Sequence, residues 1–174
     1  MSTPHALLGL LEPGPAHGYA LKQAYDSRFG RGRTLHIGQV YSTLSRLQRD
    51  GLVDAAGLEQ GSGPDRKRYV ITPAGVTRLD AWIAETDDAT EHALSSVFVR
   101  VTLALLSGRP AEPVLDAQRA VHLARMRELT RARRGLPVVD RVALDYEIAH
   151  LDADLRWMEE TAARLEDMRA ELAR

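Results

Sequence analysis

Leu144, Ile148, Leu151, Leu155, Met158, Ala162 and Leu165 recur four and three residues apart, and this spacing restricts the possible folds more than any other feature. A helix gathers such positions into one narrow apolar stripe, which needs another helix to cover it. Gly135-Leu136-Pro137 stands before the stripe as a break. The pattern therefore predicts a final helix of about 35 residues, roughly 50 Å long, which outreaches a small domain. The expectation is a seam between two copies of the chain through Leu144, Ile148, Leu151, Leu155, Met158 and Leu165. Packing of the stripe within one chain is the alternative.

Upstream, Phe98, Val101 and Leu105 mark a helix that Gly108-Arg109-Pro110 ends, and a longer helix follows to about Arg134. Residues 87–174 thus read as an all-α dimerisation domain. Residues 1–86 carry a different pattern. A short helix with Leu7, Leu8 and Leu11 on one face starts at Pro4 and is stopped by Pro13-Gly14-Pro15. A second runs from His17 to Phe29. A third, Ile37 to Asp50, aligns Val40, Leu44 and Leu47 and leaves Gln39, Ser42, Thr43, Ser45, Arg46 and Arg49 off that stripe. Gly51 closes it and a strand starts at Leu52. The turn-rich Gln60–Asp65 leads into the basic strand Arg66–Ile71, and Thr72-Pro73 restarts helix with Val76, Leu79 and Ile83 on one side.

Three short helices, a two-strand basic hairpin and a further helix follow the order of a winged helix-turn-helix, whose recognition helix enters the major groove. The fold class expected is mainly α, with that winged domain ahead of the helical one. Base edges in the groove offer donors and acceptors to Gln39, Ser42, Thr43 and Arg46, while Arg66, Lys67 and Arg68 on the wing suit phosphates. Tyr41 follows the buried Val40, so half-core packing competes with contact to DNA.

Charge supports the division. Residues 1–84 hold ten Lys and Arg against seven Asp and Glu, and residues 85–174 hold thirteen against seventeen, so the net charge of −1 hides a mildly basic first half. With 44% hydrophobic and 27% charged residues the chain has the material for a core. It has no cysteine, hence no disulfide, thiolate metal site or cysteine nucleophile. The histidines show no metal-ligand spacing, and Gly61-Ser-Gly-Pro64 lacks the Gly-Lys-Ser/Thr ending of a phosphate loop. No metal, cofactor or enzymatic motif is expected. No apolar run reaches the ~18 residues of a membrane span and no secretory signal opens the chain, so a cytoplasmic protein is expected.

Leu8-Gly-Leu-Leu-Glu-Pro-Gly-Pro-Ala-His-Gly-Tyr19, Gly38-Gln-Val-Tyr-Ser-Thr-Leu-Ser-Arg-Leu47, Asp50-Gly-Leu-Val53 and Lys67-Arg-Tyr-Val-Ile-Thr-Pro-Ala-Gly75 resemble, in register, the PadR family of transcriptional regulators. The second half resembles the family's longer subtype in pattern only. The resemblance implies a homodimeric repressor of nearby genes that binds a palindromic operator in double-stranded DNA and is released by a small aromatic or drug-like molecule. It places Tyr19, Gln39, Tyr41 and Arg46 at the DNA. The chain departs from the family where it has His36-Ile37 in place of Ser-Pro and Ser45-Arg46 in place of a basic pair, which bears on base preference. A DNA-binding scaffold that responds to no ligand is the competing reading. Trp82, Phe98, Tyr146 and Trp157 are the candidates for an effector pocket, with plain helix packing as the alternative.

Overall fold

The structure, a computed structural model, describes residues 3–30, 34–59, 66–89 and 93–173. It consists of two compact units, Met1–Ile83 and Ala84–Arg174. The expected turn at Gln60–Asp65 lies outside the described residues.

In the first unit the elements run α1 (Thr3–Leu11), β1 (Ala16–His17), α2 (Gly18–Phe29), α3 (Ile37–Arg49), β2 (Val53–Glu59), β3 (Arg66–Ile71) and α4 (Pro73–Ala84). The apolar stripes of the helices supply one core: Leu7, Leu8 and Leu11 of α1, Leu21 and Phe29 of α2, Val40 and Leu44 of α3 and Leu79 of α4 are all buried. Thr43 is buried with them, at 8% exposure. This corrects the expectation that it reads bases, because positions 40, 43, 44 and 47 fall on one side of a helix.

The wing has a third strand beyond the two expected. The sheet order is β1-β3-β2, with Ala16 opposite Tyr69 and His17 opposite Arg68, all antiparallel. Two residues carry no readable alternation, so β1 leaves no periodic trace in the sequence. Between Ala55, opposite Tyr69, and Leu58, opposite Lys67, β2 holds one residue more than β3. Gly57 takes this bulge at φ +94°, which suits glycine, and such a bulge sharpens the twist of the hairpin.

One corner joins the end of α3, the base of the hairpin and the start of α4. Gly51 turns the chain at φ +72°, and the Leu52 N–H donates to the Leu47 carbonyl at 2.9 Å. The Leu52 carbonyl then accepts from the Thr72 N–H at 3.1 Å. Thr72 Oγ1 donates to the Gly51 carbonyl at 2.8 Å and accepts from the Gly75 N–H at 3.0 Å, capping α4. A Cβ on Gly75 would stand 2.2 Å from the Leu52 carbonyl oxygen.

The second unit is all helix: α5 (Ala93–Leu106), α6 (Glu112–Ala132), α7 (Val138–Ala162) and α8 (Leu165–Leu172). The longest contact is between α6 and α7, and α5 packs on both α6 and α8. Buried residues encircle α5, among them Val97, Val99, Val101, Leu103 and Ala104, as expected of a central helix. Arg100 is 1% exposed, and its guanidinium donates to the Glu85 carbonyl and to the Asp87 carboxylate. Burial pushes the Arg100 pKa down against the opposing pull of Asp87 and Glu85.

The expected single final helix is broken. Its first part ends at Ala162, and the break at Ala163-Arg164 lets α8 lie against α5 with Leu165 buried. Leu151, Met158 and Leu165 are buried within the single chain, and Leu144, Ile148 and Leu155 are half-buried. The stripe expected to meet a second copy is therefore in large part covered by the chain itself. Among the described residues, no helix is long and apolar enough to cross a membrane.

Gly75→Ala would drive a methyl group into the Leu52 backbone, and overpacking of this kind costs about 1–3 kcal/mol. A urea titration should show a midpoint clearly below that of the parent chain, and an equal midpoint would contradict the close approach.

Candidate nucleic-acid interface

The outer face of α3 follows directly from what its inner face buries. Gln39, Tyr41, Ser42, Ser45, Arg46 and Arg49 are exposed, and the helix contains no acidic residue. Polar, basic and aromatic groups therefore share a surface to which the helix itself adds no carboxylate, the nearest being Asp50 just past its end, 3.6 Å from Arg49. Ile37 at the start of the helix is also exposed, at 41%, an apolar group the helical pattern did not single out.

The exposed side chains differ in how firmly they are held. Gln39 Oε1 accepts from the His36 N–H at 3.2 Å and so closes the first turn of α3. That oxygen serves as a cap, which leaves the amide nitrogen as the side chain's remaining polar group. Ser42 Oγ donates to the Gln39 carbonyl at 3.0 Å. Tyr41 lies against the start of α2: a Cβ on Gly18 would be 2.7 Å from its Cε1. Gly18 thus gives the Tyr41 ring its seat, so half-packing and exposure are both properties of this residue. Tyr19, next in α2, is 49% exposed. His17 caps α2 through Nδ1, which accepts from the Ala20 N–H at 3.1 Å.

The wing residues are more tied to the domain than a free basic tip would be. Lys67 Nζ donates to Gln48 Oε1 of α3 at 2.8 Å and lies 5.1 Å from the centre of the Tyr69 ring. Arg68 is half-buried, with one guanidinium nitrogen donating to the Pro15 carbonyl at 2.7 Å. Arg66 begins β3 opposite Glu59, and its side chain lies outside the described ones. Tyr69 is buried, and burial pushes its phenol pKa up with a further contribution from Tyr41.

Asp26 of α2 sets the approach to α3. Its Oδ1 accepts from the Leu35 N–H at 2.8 Å and its Oδ2 pairs with Lys22 Nζ at 2.6 Å. The backbone bond first, and then Lys22, hold the carboxyl below its ordinary 3.8. Sequence reading passed over this residue, although Lys22 and Asp26 stand four residues apart on the helix.

The effector candidates separate. Trp82 is 7% exposed and stacks on His5 with ring centres 4.6 Å apart, which makes it core of the first unit. In the second unit a cavity of 1090 Å³ opens beside α6 and α7. Tyr146 lines it, whereas the half-buried Phe98 and Trp157 do not. Among the described residues no group of three or more His, Asp or Glu is placed to hold a metal ion.

A helix-turn-helix formed by α2 and α3, backed by α1 and flanked by a twisted antiparallel wing, defines the first unit as a winged helix-turn-helix domain. Residues 7–81 match the Transcriptional regulator PadR-like family. A Mycobacterium tuberculosis protein named "Probable transcriptional regulator Rv1176c" is 35% identical over 85 residues, 49% of this chain and 45% of that one. The chain thus matches less than half the length of that relative. "Negative transcriptional regulator PadR" of Bacillus subtilis is 23% identical over 126 residues, 72% of this chain and 69% of that one. Among solved structures, Bacillus subtilis PadR in complex with operator DNA has a TM-score of 0.47 and 19% identity, covering 92% of this chain and 96% of that one. Residues 7–81 thus carry a PadR-like domain.

The lowered Asp26 pKa has a stability consequence with a definite sign. A carboxyl whose folded pKa lies below its unfolded value stabilises the fold above the unfolded value, and loses that contribution as pH falls through the folded one. Asp26→Asn should therefore flatten the acid end of the stability profile, below about pH 4, while lowering stability at neutral pH. Thermal unfolding from pH 7 to pH 3 measures it; profiles of equal steepness would remove Asp26 as the anchor.

Proposed function

We propose that the protein is a homodimeric, sequence-specific DNA-binding repressor, released from a palindromic operator by a small aromatic or drug-like ligand. The observation that carries this reading is the acid-free outer face of α3, where Tyr41 and Arg46 stand exposed beside Tyr19 of α2. Arginine offers paired donors to guanine in the major groove, and tyrosine hydroxyls suit phosphate oxygens. Lys67 beside the end of α3 would add a sequence-independent phosphate contact. The name of the Bacillus subtilis relative, a negative transcriptional regulator, supports repression as the sign.

Association of two copies is supported by the first half of α7. Val138 and Val139 are 64% and 81% exposed, neighbouring branched apolar residues that a partner surface would cover. Two copies related by a twofold axis would present two α3 helices to half-sites about one helical turn apart.

Fluorescence anisotropy with the DNA upstream of the protein's own gene, a scrambled duplex and two salt concentrations tests the reading. The account expects tight, salt-sensitive and selective binding. Arg46→Ala should cost about 1–3 kcal/mol and relax selectivity, whereas Lys67→Ala should weaken both duplexes alike and reduce the salt slope by about 1. Arg46→Ala binding as tightly and selectively as the parent chain would overturn the assignment of α3.

A further inference from the structure

The cavity beside α6 and α7 has an asymmetric charge. Asp88, Glu128, Glu147 and Asp154 line it, and against these four carboxylates stand Arg125 and His150. Arg125 is already shared, with its guanidinium 3.4 Å from Glu128 and 3.3 Å from Glu147. Asp88 and Asp154 pair with no Lys or Arg among the described residues. Carboxylates outnumber the basic groups here even with His122 counted, 3.3 Å from Asp154, so the space disfavours an anion and favours a cation.

Asp154 is held in place from behind. His122 of α6 is 0% exposed, and its Nε2 stands 3.3 Å from Asp154 Oδ2 without a hydrogen bond. The other ring nitrogen lies 3.1 Å from the Gln118 carbonyl. Gln118 is itself buried and fixed by Asp87: its Oε1 accepts from the Asp87 N–H at 2.9 Å and its Nε2 donates to the Asp87 carbonyl at 2.7 Å. His122 is thus a buried basic group anchored beside a carboxylate at the cavity wall.

The remaining wall is apolar. Val121, Val142 and Leu151 line it, and Tyr146 adds an aromatic ring that is 58% exposed and packs on His150 with ring centres 4.0 Å apart. At 1090 Å³ the cavity is ample for a drug-sized molecule, for which pockets of ~300–1,000 Å³ are usual.

We propose that this cavity binds an organic cation: a protonated amine or amidine carried on a flat apolar body, with Asp154 as its counter-charge and Tyr146 against its ring. The inference rests on the reading of the chain as a ligand-released repressor and names the chemical class of the ligand. Tyr146, about two turns before Asp154 on α7, would stack on the apolar body while the charged group meets the carboxylate.

Two probes with the same ring system and opposite charge test it, 2-naphthylmethylammonium and 2-naphthoate, each titrated calorimetrically into the full chain. The ammonium should bind at least about tenfold more tightly than the carboxylate, and Asp154→Asn should weaken the ammonium by about tenfold or more. Circular dichroism checks that the variant is folded; should it fail to fold, Asp88→Asn carries the same expectation. Equal affinity for the two probes, preference for the carboxylate, or no binding of the ammonium at millimolar concentration would overturn the proposal. Operator titrations with and without the ammonium separate the site from its role: an ammonium that binds at Asp154 yet leaves DNA affinity unchanged supports the site and overturns the regulatory reading.

Discussion

The corner at Gly51-Leu52 is the constraint on which the first unit depends. The Leu52 N–H and carbonyl tie the end of α3 to the second strand of the hairpin, and Thr72 fastens the same turn to the start of α4. Gly75 permits this because any side chain there would collide with the Leu52 carbonyl. Three elements thereby receive their directions at one point. With the inner face of α3 fixed by Val40, Thr43, Leu44 and Leu47, its outer face is determined, since the same turn of helix that buries one set exposes the other.

The outer face then acquires its order from contacts made elsewhere. Gly18 leaves room for the Tyr41 ring, Asp26 holds the segment entering α3, and Gln39 closes its first turn. Lys67 and Arg68 are drawn to Gln48 and to the Pro15 carbonyl, so the wing is stitched to the helix-turn-helix at both sides of β3. Side chains whose positions are settled before contact lose less conformational freedom on binding, which favours the proposed role of this surface at DNA.

Much of this was legible in the sequence because periodicity reports burial. Val40, Leu44 and Leu47 gave the inner face of α3, and Gly51, Thr72 and Pro73 marked the element ends. Thr43 was misread because a hydroxyl residue beside an apolar stripe looks exposed until the face is seen to take in positions 40, 43, 44 and 47 over two turns. β1 was invisible, since two residues cannot show alternation. The four-and-three stripe was real as a helix-packing signal, but spacing alone does not say whether the covering helix belongs to the same chain, and Leu151, Met158 and Leu165 are covered within it. The aromatic candidates show the same limit: Trp82 packs on His5, Tyr146 lines a cavity, and nothing in their local sequence distinguishes the two situations.

The central claim is that α3 enters the major groove, and methylation interference on the DNA upstream of the protein's own gene measures it most directly. Methylation of guanine at N7 occupies the major-groove edge, whereas methylation of adenine at N3 occupies the minor groove. The account predicts that N7 methylation blocks binding at two clusters separated by about one helical turn, roughly 10 base pairs. Interference confined to adenine N3 would contradict it, because the protein would then be reading the minor groove with some surface other than α3.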